Sequence, residues 1–405
     1  MSLTLRLSLF YASMCIFGGI QVPFYPVWLK GNGLGAEEIS LVIAAMSFLR
    51  IVSAPAIAFI ADRLGDRRRV VIALGWISLA CVVVLGFMTS FWPIFLMSAL
   101  LMTFYPAIGP LTETMTMRAA IDQGLNYGRV RLWCSVTFIV ASSGMGWLLE
   151  WQPSAIIGFG LVGAIAINVS GAYLLTPDLA EPGHKGSRGV QIAAMWQMVR
   201  HPLFLTGVMS ASLIQSSHAV YYAFGTLNWQ RLGYSETLIG GLWALGVIAE
   251  IVLFALSKGV IARVGASRLM IIAAVGAIIR WGAMAANPPL WGVILLQLLH
   301  AASFGAAHLA AIHFVAHAAP RSLGATAQSL YASLSAGLAM GVVTLMAGPL
   351  YVHYHEKAFL LSVVVSLAAL VGTFVIATRW NGGALIGEKT GNDGQGDPYR
   401  GGAGC

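Results

Sequence analysis

Residues 49–85 read LRIVSAPAIAFIADRLGDRRRVVIALGWISLACVVVL, and this stretch decides the fold. One apolar run ends at Ala61, a short turn carries Arg63, Arg67, Arg68 and Arg69, and a second apolar run starts at Val70. A helix needs about 20 apolar residues to cross the roughly 30 Å hydrocarbon layer, because in lipid every peptide group must find its hydrogen bond inside the segment. The stretch therefore reads as two membrane passes joined by a basic turn.

Working outward, runs of the same kind recur at 7–29, 39–61, 70–89, 92–117, 129–149, 154–175, 203–226, 236–257, 268–286, 290–317, 325–349 and 357–379. Only 9% of the residues are charged, so most of the chain meets the condition for burial in lipid. The expectation is an all-α membrane protein of twelve transmembrane helices, with little length left for a soluble domain.

Lys and Arg fall almost wholly on alternate loops. With the N-terminus inside, the inner loops and tails hold Arg6, Arg63, Arg67, Arg68, Arg69, Arg118, Arg129, Lys185, Arg188, Arg200, Lys258, Arg263, Arg268, Arg321, Arg379, Lys389 and Arg400, against Lys30, Arg231 and Lys357 outside. Basic residues hold a loop on the cytoplasmic side, so both termini are expected there. The net charge of +8 reports this orientation and not nucleic-acid binding, since no basic patch carries a DNA- or RNA-binding motif. Residues 1–29 are longer than a signal-peptide core and end at Trp28-Leu29-Lys30 without a small-residue cleavage site, which makes them a retained first helix. Cys15, Cys81 and Cys134 sit singly in different spans and Cys405 ends the chain, so they read as packing residues, not a disulfide framework or a metal site.

The polar segment 176–202, with Pro177, Pro182 and several glycines, splits the chain. It separates an N-terminal six-helix bundle (1–175) from a C-terminal one (203–380), and a Gly-rich polar tail (381–405) is expected to be disordered. The halves echo each other: Asp62-Arg63-Leu64-Gly65-Asp66-Arg67-Arg68 follows span 2, and Ala262-Arg263-Val264-Gly265-Ala266-Ser267-Arg268 follows span 8.

A D-R-x-G-x-R-R inner loop between spans 2 and 3, in a twelve-span chain with a central linker, resembles the major facilitator superfamily. Asp62, Arg63, Gly65 and Arg67 then form its conformational motif, although a basic loop this short also serves simply as a topological anchor. Ala58 stands where the family usually has Gly, and the second copy has lost its acid. The resemblance implies two bundles that rock around one site near the membrane midplane.

Ionisable side chains inside a span cost about 2.5–3.5 kcal/mol or more each and therefore mark a wet path or a paired site. Here they are Arg50, Glu113, Arg131, Glu250 and Arg280, with the histidines His218, His300, His308 and His313. Glu113 and Arg131 flank the hairpin of spans 4 and 5 at similar depth and are placed to pair; Arg280 and His300 flank the Asn287-Pro288-Pro289 turn in the same way. His313 points about 220° away from His300 at 100° per residue, toward a neighbouring helix, and His308 is undecided.

These spacings resemble lactose permease, and the segments VWLKGNGL (27–34), 49–69, PLTETMTM (110–117) and YGRVRLW (127–133) resemble its relatives that import 3-phenylpropionate. The resemblance implies substrate contacts at Arg50, Glu113, Arg131, Glu250 and Arg280. Ser303 stands where lactose permease has its proton-translocating Glu, so the proton falls to Glu250, Glu113 or His300. Three buried Arg against two Glu leave one positive charge, which a monocarboxylate neutralises and a sugar does not; the Arg fork suits a carboxylate. Arg50 also has a purely structural alternative, satisfied by helix carbonyls or by Glu250, and Glu113–Arg131 has one as a hairpin lock.

The expected activity is proton-coupled import of a small aromatic acid across a bacterial-type inner membrane. The alternative is an oligosaccharide or nucleoside proton symporter, with a drug-efflux antiporter behind both. No metal-ligand set, nucleophile constellation or cofactor motif suggests an enzyme. The expected partners are a small molecule, a proton and the bilayer, with the chain acting as a monomer.

Overall fold

The computed structural model describes residues 1–176, 195–320 and 323–385, and these contain helices and no strand. In chain order the passes are α1 Leu3–Gly31, α2 Ala36–Leu64, α3 Arg67–Leu85, α4 Phe91–Ala120, α5 Tyr127–Leu149 and α6 Ile156–Ala172. They continue as α7 Pro202–Arg231, α8 Glu236–Ala255, α9 Ala266–Met284, α10 Leu290–Ala318, α11 324–354 and α12 Phe359–Arg379. Ten stretches among the described residues are long and apolar enough to cross a membrane, where the sequence leads one to expect twelve. The difference has two sources. Thr326–Arg379 runs 54 residues and holds α11 and α12 on either side of a break at His355, whose φ is 47°, and α6 is only 17 residues long.

Several helices overrun the apolar stretches because caps, not hydropathy, end them. Ser2 accepts from the Leu5 N–H, Glu38 returns to the Gly35 N–H at 2.9 Å, and Ser235 accepts from Leu238. Each satisfies an amide that the first turn leaves without a partner. Of the linker expected at 176–202, residues 177–194 lie outside the described part; 195–200 form a short helix whose Met198 is fully buried against the C-terminal helices. Leu385 donates to the Ala318 carbonyl at 3.0 Å, tying residues 381–385 back onto α10, and 386–405 lie outside the described residues.

The internal repeat is sharper in three dimensions than in hydropathy. Gly33 and Gly233 both take φ above +80°, at the α1–α2 and α7–α8 turns, and Gly65 and Gly265 take φ of 71° and 78° after α2 and after the short helix Ser257–Val264 that follows α8. Each pair is 200 residues apart (233 less 33, 265 less 65). The same offset aligns Arg50 on α2 with Glu250 on α8.

The two sets of helices are sealed together on the face that carries Lys30 and Glu150, opposite the arginine-rich loops. One hydrophobic core runs across that seal, joining Trp28, Ile39 and Met145 to Phe224, Trp243 and Tyr351; the other, around Phe204, Phe314 and Ile376, stays within α7 to α12 and the preceding short helix. Small residues let backbones meet there. A Cβ at Gly240 on α8 would sit 2.5 Å from the Ser142 carbonyl oxygen on α5, and Gly341 and Gly348 on α11 pack against Phe48 and Ser40 on α2. Beside this seam Glu150 Oε1, at the end of α5, accepts the Thr237 N–H at the start of α8 (3.1 Å).

Two features depart from the sequence reading. Cys15 on α1 and Cys134 on α5 are joined in a disulfide with Cα atoms 5.0 Å apart, not left as separate packing residues. The cause is the close parallel packing of α1 and α5, which 119 residues of separation hid. Second, α10 and α11 each contain a π-helical segment, Ala301–Ala306 and Ser333–Ala339, that no sequence signal announced.

At the 62–68 turn, Gly65 takes the left-handed conformation that lets α2 end and α3 begin within two residues. Arg67, 8% exposed, donates to Asp62 at 2.8 Å, while Arg63 lies over the Phe59 ring. Arg68 donates to the Tyr173 carbonyl beyond α6, so the motif braces three helices of one half.

Candidate functional site

A cavity of about 570 Å³ lies between the halves, and helices from both contribute to its wall. Its volume is in the range of small-molecule sites. Rings dominate: Tyr25 and Phe138 from the first half face Tyr222, Trp243, Phe304 and Tyr331 from the second. Trp243 stacks on Tyr221 at 4.3 Å and on Tyr222 at 6.1 Å, with its indole N–H held by Thr226.

Arg50 and Glu250 both lie on this wall, one from each half. Arg50 has neither a hydrogen bond nor an ion pair to any described residue, and its Nε is buried without a partner. Neither helix carbonyls nor Glu250 hydrogen-bond it. The Glu250 carboxylate lies 3.8 Å from His300 Nε2, and its Cγ packs over Gly305 in the π-helical segment of α10.

Arg280 is elsewhere. It is 1% exposed and stands behind His300, off the cavity wall. Its Nη1 donates to His300 Nδ1 (2.9 Å) and Ser303 Oγ (3.2 Å), and its Nη2 to Gln297 Oε1 (2.8 Å). The guanidinium is flanked by the Tyr221 and Trp281 rings at 4.9 and 4.5 Å. Every one of these partners is neutral or neutral-capable, and no carboxylate touches it.

Glu113 and Arg131 do pair, at 3.2 Å, toward the basic face; neither lines the cavity, although Arg131 is within electrostatic reach of Glu250 and His308 on its wall. The Glu113 carboxylate is already crowded with donors. Tyr11 donates to Oε2 at 3.2 Å, Tyr127 donates to Oε1, and Arg131 donates to both Oε1 and the Tyr127 hydroxyl. The cluster locks α1, α4 and α5 together.

The five expected substrate residues thus divide. Arg50 and Glu250 converge on one void, Arg280 supports it from behind through His300, and Glu113 with Arg131 forms a separate cluster. His308 also lines the wall, with His300, Phe304 and His308 stacked in series along α10 at 5.1 and 6.4 Å. His313 stacks instead on His317 at 5.7 Å and faces away. Sequence reasoning missed Tyr11, Tyr127, Gln297 and Ser303 as partners. A Tyr four residues before Arg131, and a Gln three before His300, were the only signals available.

Residues 2–362 match the model of the MFS_1 like family. The chain is 32% identical over 372 residues to the probable 3-phenylpropionic acid transporter of Escherichia coli (strain K12), covering 90% of this chain and 95% of that protein. It is 28% identical over 375 residues to the maltose permease of Geobacillus stearothermophilus, covering 91% and 92%. Among solved structures, the nucleoside transporter NupG superposes with a TM-score of 0.80 at 14% identity, over 93% of this chain and 99% of that one.

Proposed function

The chain belongs to the MFS_1 like family and is a multi-pass secondary transporter, not an enzyme; on that premise we propose that it is a proton symporter importing a small aromatic monocarboxylate. The observation that carries this reading is the unpartnered Arg50 on a ring-lined wall. A buried cation without a counter-charge is costly in any low-dielectric site. It is tolerable where a ligand supplies the missing charge, and a carboxylate matches the guanidinium fork with two parallel charge-assisted bonds. The Tyr222 and Trp243 faces then take an aromatic body. The 3-phenylpropionic acid named for the E. coli relative has both parts.

We assign the transported proton to Glu250. It is the carboxylate that shares the wall with Arg50, at the equivalent position of the other half. A bound carboxylate and an ionised Glu250 both seek positive charge from one place, so protonating Glu250 favours substrate on Arg50. Linkage of this kind couples two ligands with no covalent chemistry. Glu113 is a poorer carrier because three donors already occupy its carboxylate oxygens and it is not on the cavity wall.

The two sets of helices act as six-helix bundles, residues 1–175 and 203–380, that rock about the cavity. We read the basic face as cytoplasmic, with both termini there, in a bacterial-type inner membrane. The seal beside Glu150 and Thr237 then closes the outer side. A second reading, an oligosaccharide symporter, is favoured by the maltose permease similarity and by a ring-lined cavity that also suits sugar faces.

The deciding experiment reconstitutes the protein in proteoliposomes and measures uptake of labelled phenylpropionate, maltose and a nucleoside with and without an imposed pH gradient. Acid accumulation driven by an inward proton gradient is the expected result. Sugar accumulation without acid uptake overturns it.

A further inference from the structure

The atoms behind Glu250 leave no freedom in where their protons sit. A guanidinium has donors only, so His300 Nδ1, 2.9 Å from Arg280 Nη1, must be the acceptor of that bond. The single proton of a neutral His300 is then on Nε2, the nitrogen that faces Glu250 at 3.8 Å. A doubly protonated ring would set an N–H and a positive charge against the guanidinium, which this contact forbids.

The surroundings fix Arg280 in turn. His218 Nδ1 lies 3.1 Å from the Gln215 carbonyl and 3.3 Å from that of Ile214; carbonyls only accept, so Nδ1 carries the proton. Its Nε2 therefore accepts from the Ser303 hydroxyl at 3.2 Å, which leaves Ser303 only lone pairs to offer Arg280. The Gln297 amide spends its N–H groups on the Tyr221 hydroxyl and the Leu242 carbonyl, which turns its oxygen to Arg280. Both Arg280 Nη groups meet acceptors, while its Nε–H is buried without one, and the donors on His218, Ser303 and Gln297 fix which of their atoms are left to accept. The titratable or charged groups around the His300 ring are Arg280 on α9, His218 on α7 and Glu250 on α8.

We propose that Arg280 is a positioning residue that pins the His300 proton on Nε2, so that His300 is a permanent hydrogen-bond donor toward Glu250 and the cavity and does not itself carry the transported proton. Arg50 and His300 then both present donors to the void. Such a pair of donors selects a ligand rich in acceptors, the carboxylate class, and holds it beside Glu250. The transport consequence rests on the function proposed above; the proton position does not.

Two measurements test it. The full chain, labelled with 15N-histidine and placed in nanodiscs, is examined by NMR, and the His300 signals are identified as those missing from His300→Gln. The expected spectrum is a neutral ring with a protonated-type Nε2 and an unprotonated-type Nδ1, unchanged between about pH 5 and pH 8 around the ordinary imidazole range. A proton on Nδ1, or a doubly protonated ring, overturns the proposal whatever the cargo. Arg280→Met, if it folds, is expected to release the ring into mixed tautomers, and an unaltered ring in the folded variant also overturns it.

In uptake assays His300→Gln, whose carboxamide offers an N–H near the Nε2 position, is expected to keep rates within about three-fold. His300→Asn, too short to reach, is expected to lose about ten-fold, the worth of one hydrogen bond to a charged group. Equal behaviour of the two variants overturns the donor role while leaving the substrate assignment to be judged by the acid uptake itself.

Discussion

Replacing Arg50 by Met is expected to move binding and stability in opposite directions. In the ligand-free protein the guanidinium has no partner, so it contributes a desolvation cost with no compensating bond. Exchanging it for an apolar chain of similar length removes a cost of about 2 kcal/mol, below the 2.5–3.5 kcal/mol of a fully lipid-buried charge because the cavity admits some water. That corresponds to a rise in melting temperature on the order of 2–4 °C. Binding falls because two charge-assisted bonds of about 1.5 kcal/mol each are lost, together about 3 kcal/mol or roughly a hundred-fold in Kd. Arg50→Lys keeps the charge but not the fork, and should lose about ten-fold. Thermal unfolding in detergent, followed with and without phenylpropionate, reads the stability term. Quenching of Trp243 fluorescence on titration reads the affinity. If Arg50→Met lowers the melting temperature and leaves acid binding intact, Arg50 is a structural residue and the assignment of its partner to the substrate fails.

Further outcomes follow from the same geometry. Glu250→Gln should preserve exchange of substrate across the membrane but abolish accumulation driven by a pH gradient, and retained accumulation would place the proton elsewhere. Glu113→Ala should lower the melting temperature, since it strands Arg131, Tyr11 and Tyr127, while changing KM less than about five-fold; a large rise in KM with unchanged stability would return this cluster to the substrate path. Gly240→Leu should prevent the α5–α8 seam from closing, so that a cysteine introduced at Ser135 in the cavity becomes labelled by an impermeant thiol reagent from the face carrying Lys30. The Glu150 carboxyl is held below the usual carboxylate range by hydrogen bonds from the Thr237 side chain and backbone and from Ser235. A lowered folded-state value means its contribution is present at neutral pH and fades as pH falls through that value. Wild type and Glu150→Gln should therefore differ in stability at pH 7 and converge in acid, and a gap that persists there would assign the effect to packing.

The spans, the basic turn at 62–68 and the opposed charges were legible because lipid imposes a length and a composition on every pass, and both are properties of contiguous residues. Arg50 was also legible as a candidate, since an arginine in such a span needs a reason. Less accessible was the division of labour among the charges. Arg280 and Glu113 look alike in sequence to Arg50 and Glu250, and only their neighbours separate them: Gln297 and Ser303 enclose the first, and Tyr11 and Tyr127 the second. Those neighbours come from other helices, at spacings that carry no periodic signal. The correspondence of Arg50 and Glu250 between the two halves was within reach. The glycines 33, 65, 233 and 265 share one offset, and the same shift lays one residue over the other. The Cys15–Cys134 bond and the π-helical segments depend on helix packing and on a single extra residue per turn, neither of which hydropathy records.

A seam such as that between Gly146 and Gly240, where main chains touch without intervening side chains, has a kinetic meaning. At this point main chain parts from main chain with no side chain to disengage, and the rotamers that must release lie elsewhere on the seal, around Trp28, Met145, Phe224 and Tyr351. The glycine contact therefore adds little to the barrier to opening, and a single bulky substitution there is enough to turn a freely swinging door into a wedged one.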